Sequence, residues 1–242
     1  MKNILITGAS RGIGRSTALK FASEGYRVFL NCRTSIAELK EVRDIIDKEY
    51  QVPCEIVPGD VSDPDAVARI FEQIYRTCKS LDVLVNNAGI SHIGLLMDMS
   101  DEEWRHVIDT NLSSVFYCCR AAIPPMISGK CGRIINISSM WGTSGASCEA
   151  AYSASKSGVN GLTRALAKEL APSNIQVNAI ACGVIDTEMN RQLSAEERAE
   201  LEDGIPSGRY GTPGEIARVV WDVAHAPEYM TGQIIGVDGG YL

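Results

Sequence analysis

Tyr152 and Lys156 stand four residues apart in Ala-Ala-Tyr-Ser-Ala-Ser-Lys-Ser-Gly (150–158), a stretch that reads as a helix. That spacing stacks the two side chains on one face, a turn apart. An ammonium beside a phenol favours the phenolate, so such a pair makes tyrosine a usable acid near neutral pH. The spacing also occurs by chance on exposed helices, and it gains meaning from the other end of the chain. Residues 3–14 read Asn-Ile-Leu-Ile-Thr-Gly-Ala-Ser-Arg-Gly-Ile-Gly, an apolar strand running into a glycine-rich turn that opens a helix. A dinucleotide clamp combined with a paired Tyr and Lys predicts transfer between ketone and alcohol.

Gly8, Gly12 and Gly14, with Ser10, Arg11 and Ile13 among them, form the candidate clamp. Glycine permits the tight turn and close backbone approach, and the helix N-terminus offers free N–H groups to a pyrophosphate. The motif needs a strand before it and a helix after it, and both are expected here. Gly59-Asp60-Val61 follows the third strand, where Asp60 would meet the adenine amino group. Asn86-Asn87-Ala88-Gly89 closes the fourth, with amides able to brace the neighbouring turn. Each of these is also an ordinary turn sequence. Their common position at successive strand ends is what one extended ligand would require. The second strand ends in Leu30-Asn31-Cys32-Arg33 with no acid before Glu38. An acid there would bind the ribose diol of NAD. Its absence, with Arg33 and Arg11 as guanidinium partners for a 2′-phosphate, predicts NADP(H).

The elements that must position these residues alternate along the chain. Strands are expected near 3–7, 27–32, 54–58, 81–86, 132–138, 175–181 and 233–237. Helices are expected near 12–24, 35–49, 64–78, 101–126, 150–170 and 213–225. This rhythm predicts a doubly wound α/β fold of Rossmann type, with a mostly parallel seven-stranded sheet. Continuously apolar runs such as Val83-Leu84-Val85 suit strands covered on both faces. Pro64 and Pro213 suit helix first turns. No repeat or linker divides the 242 residues, so one domain spanning 1–242 is expected. The polar stretch 186–212 interrupts the rhythm beyond a strand's C-terminal end, which suits a substrate lid or a plain surface helix.

Composition sets further bounds. A net charge of −7 argues against nucleic acid as a partner. No run approaches the roughly 18 apolar residues of a membrane span, and Ile4-Leu5-Ile6 meets Thr7-Gly8 too early for a signal peptide. Eight scattered cysteines without Cys-x-x-Cys suggest reduced thiols in a cytoplasm. The three histidines show no metal-binding pattern, and no Gly-x-Ser-x-Gly elbow occurs, so neither a metal nor a Ser-His-Asp mechanism is expected.

Thr7-Gly-Ala-Ser-Arg-Gly-Ile-Gly14, Asn86-Asn-Ala-Gly89, Asn111, Ser139 and Tyr152-x-x-x-Lys156 together resemble the short-chain dehydrogenase/reductase family. Matching motifs extend to Asp238-Gly239-Gly240, nearly the whole chain. The resemblance implies that Tyr152 protonates the carbonyl oxygen. Lys156 would hold the nicotinamide ribose and lower the tyrosine pKa, and Ser139 would orient the carbonyl. Asn111, an asparagine inside a long helix, would position a relaying water. Ile185 and Thr187 would lie at the nicotinamide, Thr187 bonding its carboxamide. One departure is Ala181-Cys182-Gly183, where the family usually has Pro-Gly; Cys182 and Cys148 are thereby candidates for a reactive thiol.

Within the family the pattern is similar to bacterial 3-oxoacyl-acyl-carrier-protein reductases. These usually place two basic residues beside the active-site mouth for the acidic carrier, at positions matching Lys130 and Ser173. The segments 179–190 and 205–213 also resemble reductases of a 5-aminopentanone modification on elongation factor P. For that amine-bearing substrate, Asp186, Glu188 or Glu149 would suit the mouth. A non-catalytic NADPH-binding regulator is the alternative of another class, against which the intact Asn-Ser-Tyr-Lys set speaks. Val115, Phe116, Tyr117, Leu162 and Leu166 exceed what one sheet face needs. By resemblance they imply a homotetramer.

Overall fold

The computed structural model describes residues 1–190 and 194–242. Its centre is a seven-stranded sheet formed by β1 (Asn3–Ile6), β2 (Arg27–Leu30), β3 (Cys54–Ile56), β4 (Val83–Asn86), β5 (Gly132–Ser139), β6 (Ile175–Cys182) and β7 (Ile234–Val237). The spatial order is 3-2-1-4-5-6-7. Every pairing is parallel, with Ile6 opposite both Leu30 and Val85, Asn86 opposite Asn136, and Ser139 opposite Cys182. The expectation of a mostly parallel sheet is met by a wholly parallel one.

Helices cover both faces, as a parallel sheet requires. On one side α1 (Gly12–Ser23), α2 (Ile36–Ile45) and α9 (Pro213–Ala224) pack against Ile4, Ile6, Val28 and Val85. On the other, α3 (Pro64–Thr77), α5 (Ser114–Gly129) and α7 (Ala150–Leu170) cover Leu5, Phe29, Leu84 and Ile134. The two prolines start helices as expected. Asp63 accepts a hydrogen bond from the Asp65 N–H at 2.9 Å ahead of α3, and Thr212 and Glu215 form a reciprocal capping box ahead of α9.

Two expected helices are interrupted. The stretch 35–49 becomes α2 followed by a π-helical turn over Ile46–Tyr50. The stretch 101–126 divides into α4 (Asp101–Ile108), a π turn over Asp109–Ser113, and α5. The short α6 (Trp141–Ser144) was not expected. Across 186–212 lie a 3-10 turn at Glu188–Asn190 and α8 (Ala195–Asp203), joined at the base by a parallel bridge between Ile185 and Gly211. Residues 191–193 of the expected lid lie outside the described residues. No helix among the described residues is long and apolar enough to cross a membrane.

Candidate active site

Strand order reverses between β1 and β4, and a cleft of about 430 Å³ opens at the C-terminal strand ends there. One end is the glycine turn. Gly8 (φ +64°) and Gly12 (φ +54°) adopt left-handed backbone, and a Cβ on Gly14 would collide with the Gly8 carbonyl oxygen. The expected brace is present: the Asn87 amide donates to the carbonyls of Thr7 (2.9 Å) and Gly8 (3.0 Å). The Thr7 hydroxyl accepts from the N–H groups of Asn87 and Ala88, locking β1 to β4.

Ser10, Arg11, Ile13, Arg33, Asp60, Val61, Asn87, Ala88 and Gly89 all face this cleft, as do Ile185 and Thr187. The two arginines are not bare. Arg33 lies 3.6 Å from Asp60, and Arg11 pairs with Glu188 at 2.9 Å. Asp60 also accepts from the Ser62 N–H and hydroxyl, so the carboxylate expected at the adenine is fixed by three partners. Asn31 spans to the carbonyls of Val57 and Gly59, tying β2 to the loop after β3.

At the other end β5 delivers Ser139 and α7 delivers Tyr152 and Lys156. Ser139 accepts from the Trp141 N–H at 3.2 Å and hydrogen-bonds the Tyr152 phenol. Tyr152 is partly exposed, yet desolvation around its hydroxyl pushes the phenol well above its ordinary value. Ser139 draws it back, while Cys182 and Glu149 push it further up. Lys156 is buried, with Nζ donating to the Ile137 carbonyl at 2.8 Å and lying 5.6 Å from the centre of the Tyr152 ring. Burial pushes the ammonium down to about 8. The direction is therefore set by burial of the phenol, with Ser139 the group that draws it down.

Asn111 lies in the π turn rather than in regular helix, and π turns recur at functional sites. Its amide closes a two-way bond with Ile90, accepting from the N–H at 2.8 Å and donating to the carbonyl at 2.9 Å. It also donates to Ser155, whose hydroxyl donates to the Tyr152 carbonyl. Ser138 turns away and donates to Asn160 beneath the site.

The fold also places the residues of two further sequence readings. Lys130 and Ser173 precede β5 and β6, and the Asn174 amide next to Ser173 donates to the Lys130 carbonyl. Eight residues of strand at about 3.3 Å each separate them from Ser139, so they occupy the edge of the sheet opposite this chain's cleft. Cys182 is buried with its thiol pushed up to about 12 by desolvation, which makes it a poor nucleophile. Of the five apolar residues in excess, Val115 belongs to the chain's own core and Phe116 is 45% exposed.

This fold and cleft define a nicotinamide-dinucleotide oxidoreductase, and the chain belongs to the short-chain dehydrogenase family, whose pattern it matches over residues 2–198. It is 44% identical over 240 residues to the 3-oxoacyl-[acyl-carrier-protein] reductase FabG of Staphylococcus aureus, covering 99% of this chain and 97% of that relative. Similar reductases of the same name occur in Chlamydia muridarum (43% identical; 99% and 96% covered) and Thermotoga maritima (42%; 100% and 98%). Among solved structures, YwfH, an NADPH-dependent reductase involved in bacilysin biosynthesis, superposes with a TM-score of 0.94 at 26% identity, covering 100% and 98% of the two chains. A gluconate dehydrogenase assignment from Agrobacterium tumefaciens gives 0.94 at 34%, covering 99% and 95%.

Proposed function

We propose that this chain reduces the ketone of a 3-oxoacyl group carried on acyl carrier protein, with NADPH as reductant. The observation that carries the reading is the convergence of Ser139, Tyr152 and Lys156 beside the glycine cradle. It occurs in a chain 42–44% identical over its length to reductases of that name. Of the two protein-borne substrates raised by the sequence, the acyl-carrier one is named by these relatives.

The cradle fits the dinucleotide: left-handed Gly8 and Gly12 open the backbone, and Gly14 leaves no room for a side chain. Arg33 and Arg11 would hold the 2′-phosphate, since a guanidinium has five N–H donors and each carboxylate partner occupies only part of the fork. Bound there, NADPH supplies the hydride. Ser139 would hold the ketone oxygen, and Tyr152 would give that oxygen its phenolic proton. Burial keeps the phenol protonated at neutral pH, which is the state reduction needs. Lys156, with one N–H on Ile137, has others for the ribose hydroxyls and for the phenolate left behind. Asn111 holds the loop at Ile90 and would place the relaying water.

The segment 186–212 would act as the lid, with Leu201 of α8 lining the cleft. A homotetramer in the cytoplasm would cover the α5 face, where the Arg120 guanidinium lies 5.0 Å from the exposed Phe116 ring. The test is NADPH consumption with acetoacetyl-acyl carrier protein. Saturable turnover is expected, and no turnover by a chain that binds NADPH would reject the reading.

A further inference from the structure

Beside its polar residues, the reacting end of the cleft carries an indole. Trp141 lines the cleft together with Ile93, Met189 and Leu201. Its backbone N–H donates to the Ser139 hydroxyl at 3.2 Å, and two peptide units keep the two Cα atoms within about 7.6 Å. The side chain is rooted next to the group that would hold the ketone oxygen, within reach of the ketone's substituents.

This wall has no slack. Trp141 opens α6, and Gly142 seats that helix: a Cβ there would lie 2.8 Å from the Lys156 carbonyl carbon, so α6 already touches the backbone of α7. The Gly142 carbonyl accepts from the Ser157 hydroxyl (2.9 Å) and the Asn160 amide (3.1 Å). The Met140 N–H, one residue before Trp141, donates to the Cys182 carbonyl at 2.9 Å. The ring itself is braced by the end of the chain. Tyr241 meets it edge-on, with centroids 5.5 Å apart and planes at 88°, a favoured geometry for two aromatic rings. The tail that carries Tyr241 is tied to the stem of the 186–212 segment, where the Ser207 N–H donates to the Gly239 carbonyl at 3.0 Å.

A chain packed against a wall that cannot retreat lengthens only by displacing atoms, and apolar pockets discriminate on single methylenes. The geometry points to Trp141 as a specificity-determining residue that limits the acyl tail beyond the ketone and so selects short 3-oxoacyl groups. Tyr241 is the positioning residue that holds the indole in place. The inference rests on the reductase reading above. The thioester arm leaves through the open mouth toward its carrier, and the tail is the substituent that meets the ring.

Two thioesters of N-acetylcysteamine test it, one carrying a 3-oxobutanoyl and the other a 3-oxooctanoyl group. The wild-type protein should favour the short probe by about tenfold or more in kcat/KM. Trp141→Val should remove most of that preference by raising kcat/KM for the long probe, with NADPH affinity, read by fluorescence titration, intact. Tyr241→Ala should shift the ratio the same way by less, and Tyr241→Phe, which keeps the ring, should restore the wild-type ratio. Tyr241→Ala leaves the indole present and carries the test should Trp141→Val fail to bind NADPH. Equal use of the two probes by wild type overturns the inference. So does a short-chain preference that survives in Trp141→Val, or a ratio in Tyr241→Ala equal to that of wild type. A wild-type protein that binds NADPH and turns over neither probe would instead sink the reductase reading, and this inference with it.

Discussion

The ammonium of Lys156 sits under the ring of Tyr152 but is tied to the backbone of Ile137, 2.8 Å away on β5. The two side chains thus share a face of α7 while answering to different partners: Tyr152 to Ser139, Lys156 to the strand. Burial acts on both in the uncharged direction, raising the phenol and lowering the ammonium. Removing the phenolic proton should therefore separate chemistry from binding. Tyr152→Phe should lower kcat by about 10²–10⁴-fold while NADPH affinity, read by fluorescence titration, stays within about twofold. Retained turnover would remove Tyr152 from the acid's role.

Lys156 should also leave a signature in stability. Its folded pKa of about 8 lies below the ordinary 10.5, so the folded state binds fewer protons between those values. The group's penalty is full below pH 8 and is relieved as pH rises towards 10.5, on the order of 3 kcal/mol at about 1.4 kcal/mol per unit. Lys156→Met should accordingly raise the stability of the protein without added dinucleotide at neutral pH. Its advantage over wild type should shrink through that window in urea titrations. A gain that does not change with pH would mean that packing, not charge burial, is responsible.

Arg33 is held against Asp60, and the pair bears on cofactor choice. Arg33→Ala would remove a guanidinium and leave the Asp60 carboxylate facing the position of the 2′-phosphate. NADPH affinity should fall about 10–100-fold, while NADH affinity changes several-fold less. Equal losses for the two dinucleotides would reject the assignment.

Cysteine labelling near neutral pH offers a direct check on burial. Cys131 and Cys148 are exposed and should react with a maleimide, whereas Cys182, Cys118 and Cys119 are buried with raised thiol pKa values. Mass spectrometry of the briefly treated native protein should find label on the first two. Rapid modification of Cys182 with loss of turnover would contradict its placement.

Much of this site was legible in the chain because its parts sit at strand ends. Apolar runs such as Val83-Leu84-Val85 mark the strands, and the residues just after them fall at one edge of a parallel sheet. Gly8, Asn87 and Ser139 are placed by that logic alone. The ion pairs were not legible: Arg11 meets Glu188 across 177 positions, and no local pattern encodes such a meeting. Nor was the left-handed backbone of Cys148 (φ +61°), a conformation that residue type argues against. The interrupted helices were missed because a π turn differs from an α turn by one residue, too little to disturb a hydrophobic period.

That one residue has a genetic meaning. A π turn absorbs its extra residue locally, so α4 and α5 keep their phases, and Val115, Cys118, Ala122 and Met126 stay turned to the sheet. Deleting a single codon within 109–113 would heal the helix and leave that buried face in place. What would vanish is the splay that lets Asn111 grip Ile90. In this fold the grip on Ile90 and the means of folding are separable by three nucleotides, so a lineage could shed the one without losing the other.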